Sequence, residues 1–570
     1  MHIFMDLKLL RTLSGTFLLS FSIAVFAVPA KRGMKRLIKL VDGRQVEATL
    51  HGDEWGSYWE TADGSCYQVQ DTTGLFHAVN KHTILRHSAA LRAKANASRM
   101  ERINGIRTRA GIGEGHIPYT GVKRGVIILV QFKDKKFTFG HNKAYYDRVA
   151  NGPLSDAQRS IGFQGSVKDY FLAQSNGTFE LQFDVVGPYT LKNKYAYYGA
   201  HSGGANDVRP GEMIEEAVKL ADPDVDYKQY DWDGNGFVDQ VAVIYAGPGE
   251  AAGGDENTIW PHEWTLSAAI GKSVSLDGVG ISRYSCSSET TYNEYGATTQ
   301  IAGLGTICHE FSHCLGLPDM YDTNYQNAGM GVWDLMDQGS YNGGQFLPPN
   351  YSAYEKWYAG WLEPTELNAP TSVRNLPAPD VRYGQAYVIY NDAHKDEYYL
   401  LENRQNNVGL WDTGLPGSGL MILHIDYSKE AWESNLINNT SSYPDITDHE
   451  RAYLFRADNK SADSDAQDDL YPFGDNNSLT DTSTPAAVIF NGGQFMGKPI
   501  TNISKNEDGT VNFDFMGGSE SNVVNGIRAV SVQKGPEDDH IFTLDGRYVG
   551  KDLLRLAPGV YVRGGKKIVR

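Results

Sequence analysis

The run GTICHEFSHCLGLPDMYD, residues 305–322, constrains this chain more than any other feature. His309 and His313 are four residues apart, so on a helix they lie one turn apart on a single face and can bind one ion. Apolar residues repeat at the same spacing on roughly the opposite face, at Ile307, Phe311 and Leu315. We therefore predict a helix with one metal-binding face and one buried face. The alternative is an ordinary amphipathic helix with two surface histidines.

The residues around the two histidines favour a catalytic metal site over a structural one. Glu310 is rotated by about 100° from His309, which places it beside the metal face without making it a ligand. Gly316 suits a left-handed helix end and Pro318 a chain that has left the helix, so the backbone can bring Asp319 back to the ion. Two imidazoles and one carboxylate leave the fourth position of zinc open for water, whose proton Glu310 can accept. Iron or nickel would also accept these ligands.

A second ion site is predicted in DWDGNGFVD, residues 231–239. Its spacing is that of a calcium loop, with Gly236 at the sharp turn, a backbone carbonyl from Phe237, and side-chain ligands Asp231, Asp233, Asn235 and Asp239. Position 12 of the loop is Ala242 where a complete EF-hand has glutamate, and the acidic run ADPDVDY upstream could complete the shell. The alternative is a surface loop rich in Asx turns that binds no ion.

Charge and the N-terminus indicate an exported protein. A net charge of -17 argues against nucleic-acid binding, because phosphate contacts need clustered Lys and Arg. Basic residues followed by an apolar run and small residues predict a signal peptide in residues 1–30, cleaved after Ala27 or Ala30, with a membrane anchor as the alternative. No other stretch approaches 18 apolar residues, so we expect no transmembrane segment in the mature chain.

The four cysteines are too few for a disulfide scaffold: Cys66, Cys286, Cys308 and Cys314. We expect at most one bridge, from Cys286 to Cys308 or Cys314, or buried free thiols. His262 and His424 are far from the zinc helix in the sequence, and we interpret both as structural histidines.

Pattern changes along the chain predict an α+β protein followed by a β-sandwich-like domain, with small β modules at both ends. Alternating short strands and a basic connector form residues 31–120, and strands alternate with helices in residues 121–365. Strands and turns dominate residues 366–517. A linker and two hairpin-like units form residues 518–570.

The run HEFSHCLGLPDMYD resembles the extended zinc motif, HExxHxxGxPD, of the immune inhibitor A peptidase family, which is similar to the metzincins. The likeness extends to VKDYFLAQSNGTF, DWDGNGFVDQVAVIYAG, GVWDLMDQGSYN, LENRQ and LPGSGLMILHID, and covers about residues 121–517. The resemblance implies a secreted zinc endopeptidase with a propeptide, a metzincin-like catalytic domain of α/β type and a β-rich domain after it.

Carried over position by position, the resemblance implies roles for six residues. His309, His313 and Asp319 would be the zinc ligands, with Asp319 where ordinary metzincins have a third histidine. Glu310 would be the catalytic acid and base. Met336 in WDLMDQG would be the Met-turn residue beneath the ligands, and Tyr341 could stabilise an oxyanion, although its spacing is not the usual one. The family also favours a structural calcium ion in residues 231–239.

Latency and export are predicted from the two ends of the chain. Residues 31–120 resemble a propeptide, and we expect cleavage at Arg107 or Arg109, or elsewhere in the connector. Cys66 could cap the zinc as a thiolate, but its strand context favours a packed cysteine. The last residues resemble the C-terminal sorting segments of type IX secretion, which implies a secretion-machinery partner. The alternative is a terminal β domain without a transport role.

These observations predict a secreted, zinc-dependent endopeptidase whose substrates are proteins or peptides. Two other readings stay open: a zinc hydrolase of non-peptide amide or cell-wall substrates, and an inactive surface adhesin or binding protein. Glu310 argues against the adhesin, because a binding module has no use for a general base.

Overall fold

The computed structural model describes most of the chain. The described residues are 27–69, 73–103, 119–138, 140–201, 206–293, 299–379, 385–440, 448–461, 463–518, 540–543, 548–551, 553, 556, 560–563 and 566–569. The predicted signal peptide lies outside them except for its last four residues, as do Arg107, Arg109 and most of the linker after residue 517. No helix among the described residues is long and apolar enough to cross a bilayer.

The N-terminal module is an antiparallel five-stranded meander followed by one long helix. Its strands pair in the order β1-β2-β3-β4-β5. Their bounds are β1 Lys35–Lys39, β2 Gln45–Asp53, β3 Gly56–Glu60, β4 Cys66–Val69 and β5 Phe76–Val79, and helix α1 is Lys81–Ile103. The short strands that the sequence predicts at the start of residues 31–120 are β1 to β5, and the basic connector begins as α1.

The next region is built on a mixed six-stranded sheet. Its strands are β6 Gly121–Gln131, β7 Phe179–Thr190, β8 Val241–Pro248, β9 His262–Thr265, β12 Arg283–Tyr292 and β13 Thr299–Ile301, and a hairpin of β10 Val274–Leu276 and β11 Val279–Ile281 stands beside it. The strand order is β13-β12-β8-β6-β7, with β9 paired to β12. Strands β7, β6, β8 and β12 run parallel, whereas β9 and β13 pair with β12 antiparallel.

Helices cover both faces of this sheet. They are α2 Lys143–Asn151, α3 Asp156–Ser160, α4 Val167–Gln174, α5 Tyr195–Gly199, α6 Pro210–Ala221, α7 Leu266–Ile270, α8 Gly305–Cys314 and α9 Ala353–Tyr358. Successive side chains of the central strand β6 point into different cores, because side chains alternate along a strand. Ile127 and Leu129 pack on the side of α8, and Val126, Ile128 and Val130 pack on the side of α6. Residues 126–130 of this central strand, VIILV, are therefore apolar on both faces and buried.

Two facing sheets dominate the region after residue 364. One contains β14 Thr365–Glu366, β16 Ala386–Tyr390, β17 Glu397–Arg404, β18 Gly419–Asp426 and β19 Ala452–Leu454; the other contains β15 Thr371–Leu376, β20 Ile500–Lys505 and β21 Val511–Phe515. Helix α10, Lys429–Glu433, follows β18. Strand β17 sends Tyr398 and Leu400 into the core that contains α8, and Tyr399 and Leu401 toward the second sheet. The five-stranded sheet is therefore a shared wall between the two cores.

The last described residues form a four-stranded sheet in the order β23-β22-β24-β25. Its strands are β22 Ile541–Thr543, β23 Tyr548–Gly550, β24 Val560–Arg563 and β25 Lys566–Val569. His540 approaches Glu180 of β7 at 3.1 Å, and Lys168 of α4 bonds the other oxygen of Glu180 at 2.7 Å. The C-terminal sheet thus contacts the edge of the central sheet through one carboxylate.

Helix α8 packs without clearance against the loop that follows it. A Cβ atom on Gly305, the first helical residue, would overlap the backbone carbonyl of Ser340. That loop contains Met336 and Tyr341, so the absence of a side chain at residue 305 sets how closely the helix and the loop approach.

We predict that Gly305→Ala lowers the free energy of unfolding by about 2 kcal/mol, because backbone has to move and alanine's better helix propensity does not compensate. Denaturant unfolding of the full chain measures the change. The matched control is Gly493→Ala, where the new Cβ would lie 3.6 Å from the nearest side-chain atom, that of Ile489. Equal stability of the two variants would show that the close approach has no energetic consequence.

Candidate metal centre

Helix α8 is buried on all sides, and its end directs the chain back toward its own histidines. All ten of its residues are buried. Gly316 has a φ of 95°. The amide of Gly316 donates to His313 O at 2.8 Å and that of Leu317 donates to Ser312 O at 3.2 Å, which is a Schellman end. The predicted left-handed glycine is therefore present, and the chain leaves the helix so that Asp319 lies beside it.

The two imidazole rings face each other with their Nε2 atoms 3.0 Å apart. Nδ1 of His309 lies 2.8 Å from Leu335 O, and Nδ1 of His313 lies 2.8 Å from Leu317 O. A carbonyl oxygen only accepts hydrogen bonds, so the proton of each ring belongs on Nδ1. Both Nε2 atoms then direct lone pairs toward one point.

Asp319 supplies the third atom. Its Oδ1 lies 3.3 Å from each Nε2 atom and has no hydrogen-bond partner among the described residues, although it is buried. Burial would raise the pKa of Asp319, but His313 and His309 lower it to about 2. Burial lowers the pKa of His313 to about 4, so that ring is neutral and the carboxylate is charged near neutral pH.

These three atoms are spaced as ligands of one ion. A tetrahedral zinc ion with bonds of about 2.0–2.2 Å holds its ligand atoms roughly 3.3–3.5 Å apart. Without a cation, two lone pairs and a buried carboxylate oxygen would repel one another, which costs free energy. The donor set therefore fits a divalent metal ion, and the structure brings together the three ligands that the sequence predicted.

Asn435 holds Asp319 in place, and no sequence pattern indicated this role. Its Nδ2 donates to Asp319 Oδ2 at 2.7 Å, and its Oδ1 accepts from the Asp319 amide at 2.9 Å. Asn435 follows α10, more than a hundred residues along the chain. These two bonds leave Oδ1 of Asp319 as the oxygen that faces the rings.

Glu310 lies in the same pocket and contacts a peptide segment. Its Oε1 accepts a hydrogen bond from the Val28 amide at 3.0 Å, and its Oε2 is buried without a hydrogen-bond partner among the described residues. Burial raises the pKa of Glu310 well above its usual range. A carboxyl group whose pKa is raised in this way suits proton transfer.

Residues 27–30 lie along the metal centre in the manner of a bound peptide. Three side chains hold successive carbonyl groups: Tyr321 donates to Ala27 O at 3.1 Å, Trp260 to Val28 O at 2.8 Å, and Tyr341 to Pro29 O at 2.7 Å. Gln338 donates to Ala30 O at 3.1 Å. The segment is buried, with Ala27, Val28 and Ala30 at most 2% exposed.

Met336 and Tyr341 occupy the loop that faces α8. Met336 is fully buried, and its neighbour Leu335 provides the carbonyl that orients His309. Burial raises the pKa of the Tyr341 phenol, so it remains a hydrogen-bond donor at neutral pH. Tyr341 thus faces the segment that contacts Glu310.

The remaining predicted residues lie elsewhere. His262 lies between Trp260 O and the Tyr284 hydroxyl, at 2.7 and 3.0 Å, and His424 lies 2.9 Å from Glu397. All four cysteines are buried and unpaired, and Cys66 packs in the N-terminal module with Tyr58 and Ile84. The disulfide alternatives are therefore not formed in this structure.

The loop at residues 231–239 folds around the side chain of Asp231. Amides of Gly234 and Asn235 donate to Asp231 Oδ1, and the Gly236 amide donates to its Oδ2, all within 3.1 Å. Carboxylate oxygens of Asp231, Asp233 and Asp239 lie within 4.8 Å of one another. Burial raises the pKa of Asp239 to about 6. Ala242, at position 12 of the loop, lies in β8. Asp224, in the acidic run upstream of the loop, accepts a hydrogen bond from the Tyr189 hydroxyl at 2.5 Å.

We predict that Asn435→Ala weakens zinc binding by roughly 10–100-fold, because Asp319 loses the hydrogen bond to its carboxylate and the one that its amide donates. Competition with a chelator, in a chain that also carries Glu310→Gln to prevent self-digestion, measures the affinity.

The matched control for this variant is Asn439→Ala. Asn439 accepts from the amide and hydroxyl of Thr323, both at 2.9 Å, and so makes a similar local contact to a residue that is not a ligand. Equal losses of affinity in both variants would mean that Asn435 acts only through the local structure.

Comparison with known proteins agrees with the geometry. Residues 123–362 match the family described as immune inhibitor A peptidase M6, catalytic domain. Immune inhibitor A of Bacillus thuringiensis subsp. alesti is 26% identical over 285 residues, which cover 43% of this chain and 41% of that protein. The pre-pro-metalloprotease PrtV of Vibrio cholerae serotype O1 (strain M66-2) is 30% identical over 260 residues, which cover 40% of this chain and 28% of that protein.

A putative secreted metallopeptidase of Arthroderma benhamiae is 24% identical over 202 residues, which cover 31% of this chain and 29% of that protein. The chain spans less than half the length of the curated relatives it matches. All three alignments are with proteins named as metallopeptidases or as immune inhibitor A. Residues 123–362, which match the catalytic domain of the immune inhibitor A peptidase family, include the His309 cluster.

Proposed function

We propose that this chain is a secreted zinc endopeptidase that is made in a latent form. The observation that carries the proposal is the contact between Glu310 and the amide of Val28 at 3.0 Å, beside three converging metal-ligand atoms. The cleft holds this peptide segment through backbone groups, as a peptidase holds a substrate of varied sequence. This supports peptide hydrolysis over action on a non-peptide amide or a cell-wall substrate.

His309, His313 and Asp319 would hold the zinc ion. When bound, zinc supplies Lewis acidity, which polarises a peptide carbonyl and makes water a stronger acid. Glu310 takes a proton from the attacking water as the water oxygen bonds to the carbonyl carbon. It then passes that proton to the nitrogen of the leaving amine when the C–N bond breaks. Tyr341 donates its hydroxyl proton in a hydrogen bond to the developing oxyanion.

Residues 31–120 act in this proposal as the propeptide. Residues 28–30, which lead into it, cover Glu310 and have to leave before a substrate can enter. Lys31 bonds Ala251 O through its amide at 2.8 Å, and Arg32 bonds Ala328 O at 2.7 Å, so the propeptide start is also held on the walls of the cleft. Latency therefore rests on occupancy of the cleft, and the buried Cys66 has no part in it.

Three further assignments belong to the proposal. Calcium binds residues 231–239 through Asp231, Asp233, Asn235, Asp239 and the carbonyl of Phe237, which is supported by the clustered carboxylates. The signal peptide directs export and is removed by cleavage after Ala27, which leaves residues 28–30 on the propeptide. The C-terminal segment contacts the secretion machinery; its resemblance to sorting segments is the support, and its contact with Glu180 suggests that it docks on the catalytic region.

We predict that, once a trypsin-like protease has cut the connector and has been inhibited, Glu310→Gln lowers casein hydrolysis by about 10²–10⁴-fold while zinc stays bound. The amide keeps the shape of the side chain but cannot accept the proton. Peptide release from casein and metal analysis are measured on the same sample, with and without a chelator. Glu212→Gln, on the surface of α6, is the control and is expected to keep full activity. Retained activity in the Glu310 variant would rule out Glu310 as the general base.

A wild-type chain that binds casein without cleaving it, even after the connector is cut, would support the alternative of an adhesin.

Latency predicts that the intact chain is nearly inactive and gains activity when a trypsin-like protease cuts the connector. N-terminal sequencing of the active form is expected to find a start within residues 104–118. The same treatment of the Glu310→Gln chain gives the cleavage without the activity. Full activity in protein that still begins at Val28 would be incompatible with the propeptide.

A further inference from the structure

A second cluster of metal-binding side chains lies beside the cleft and shares no residue with the His309 cluster. It consists of His201, Asp207 and Glu250. One ligand atom from each of these residues lies within 4.8 Å of the other two. His201 and Asp207 come from the segment between α5 and α6, and Glu250 follows β8. Three separate positions in the chain therefore converge.

The hydrogen bonds of the cluster leave one carboxylate oxygen unused. His201 Nε2 lies 2.8 Å from Glu250 Oε2, and Ser57 of the N-terminal module donates to Glu250 Oε1 at 3.2 Å. Asp207 Oδ2 accepts from the amide of Trp260 at 2.5 Å. Asp207 Oδ1 is buried and has no hydrogen-bond partner among the described residues.

The charges of the cluster do not balance. Asp207 is 9% exposed and Glu250 is 4% exposed, so two carboxylates are buried next to one imidazole. Burial would lower the pKa of His201, but Glu250 raises it to about 9. Burial and the charge of Glu250 raise the pKa of Asp207 well above its usual range. His201 can neutralise one carboxylate, and the other requires either a proton or a cation.

We propose that His201, Asp207 and Glu250 form a second binding site for zinc, separate from the catalytic centre and structural in role. The unpartnered Asp207 Oδ1, His201 Nε2 and one Glu250 oxygen are the ligand atoms. One imidazole and two carboxylates form a donor set for zinc, whereas calcium takes oxygen ligands and does not favour an imidazole.

A zinc ion at this site ties together the segments that build one wall of the cleft. Asp207 bonds the amide of Trp260, and the indole of Trp260 holds Val28 O at 2.8 Å. Glu250 joins this wall through its amide, which donates to Ile259 O at 3.0 Å. The Ser57 hydroxyl then links the propeptide to a ligand of the ion. The second zinc thus fixes the position of a side chain that grips a peptide carbonyl.

Zinc counting in the full-length chain tests this inference. The starting protein carries Glu310→Gln, is loaded with zinc, and is dialysed against metal-free buffer that contains millimolar calcium to fill oxygen-only sites. Mass spectrometry of the metals is expected to find two zinc ions per chain. Adding His313→Ala is expected to remove only the catalytic zinc and leave one.

Adding Asp207→Asn to the starting protein keeps the size of the side chain and removes its charge, and is expected to lower the count from two to one. The matched control is Glu256→Gln, a nearby carboxylate that pairs with Arg36 at 3.5 Å and is not in the cluster. This control is expected to keep both ions. His201→Asn repeats the test if the Asp207 variant does not fold.

One zinc ion in the starting protein that His313→Ala removes would overturn the inference, and it would identify an ion pair of His201 and Glu250 beside a protonated Asp207. Two ions in a folded Asp207→Asn or His201→Asn protein would also overturn it. His313→Ala tests only the catalytic zinc, and Asp207→Asn and His201→Asn test only the second zinc. Failure of the second site and failure of the proposed function are therefore distinguishable.

Discussion

Three buried lone pairs that face one another are the constraint on which the site depends. The two Nε2 atoms are 3.0 Å apart, and Asp319 Oδ1 is 3.3 Å from both. Each ring has its Nδ1 atom at a backbone carbonyl, so two neutral rings direct lone pairs at each other and at a carboxylate oxygen. A divalent cation converts this repulsion into three bonds, so the position of the ion is determined by the fold.

That arrangement is supported by distant parts of the chain. Leu317 O orients one ring from the turn after α8, and Leu335 O orients the other from the loop that carries Met336. Asn435, beyond α10, holds the carboxylate. Because strand β17 packs its Tyr398 and Leu400 into the same core as α8, the later β region is part of the support of the metal centre. Residues 121–365 alone would lack the contact between Asn435 and Asp319.

Local patterns in the sequence predicted the elements whose causes are local. The spacing of His309 and His313, the helix end at Gly316 and the apolar run of β6 each follow from the periodicity or the backbone preference of adjacent residues. Asn435, Trp260 and the peptide at residues 27–30 could not be predicted in this way. Their roles arise from contacts between residues that are far apart in sequence, and a polar or aromatic residue in isolation carries no sign of its partner. The same reason hid His201, Asp207 and Glu250, which have no metal-binding spacing along the chain.

Anomalous diffraction at the zinc absorption edge, from crystals of the full-length Glu310→Gln chain, tests the metal centre most directly. A strong peak is expected within about 2.0–2.2 Å of His309 Nε2, His313 Nε2 and Asp319 Oδ1. No peak at these atoms, or an Asp319 side chain turned away from both rings, would contradict the assignment of the three residues as ligands of one ion.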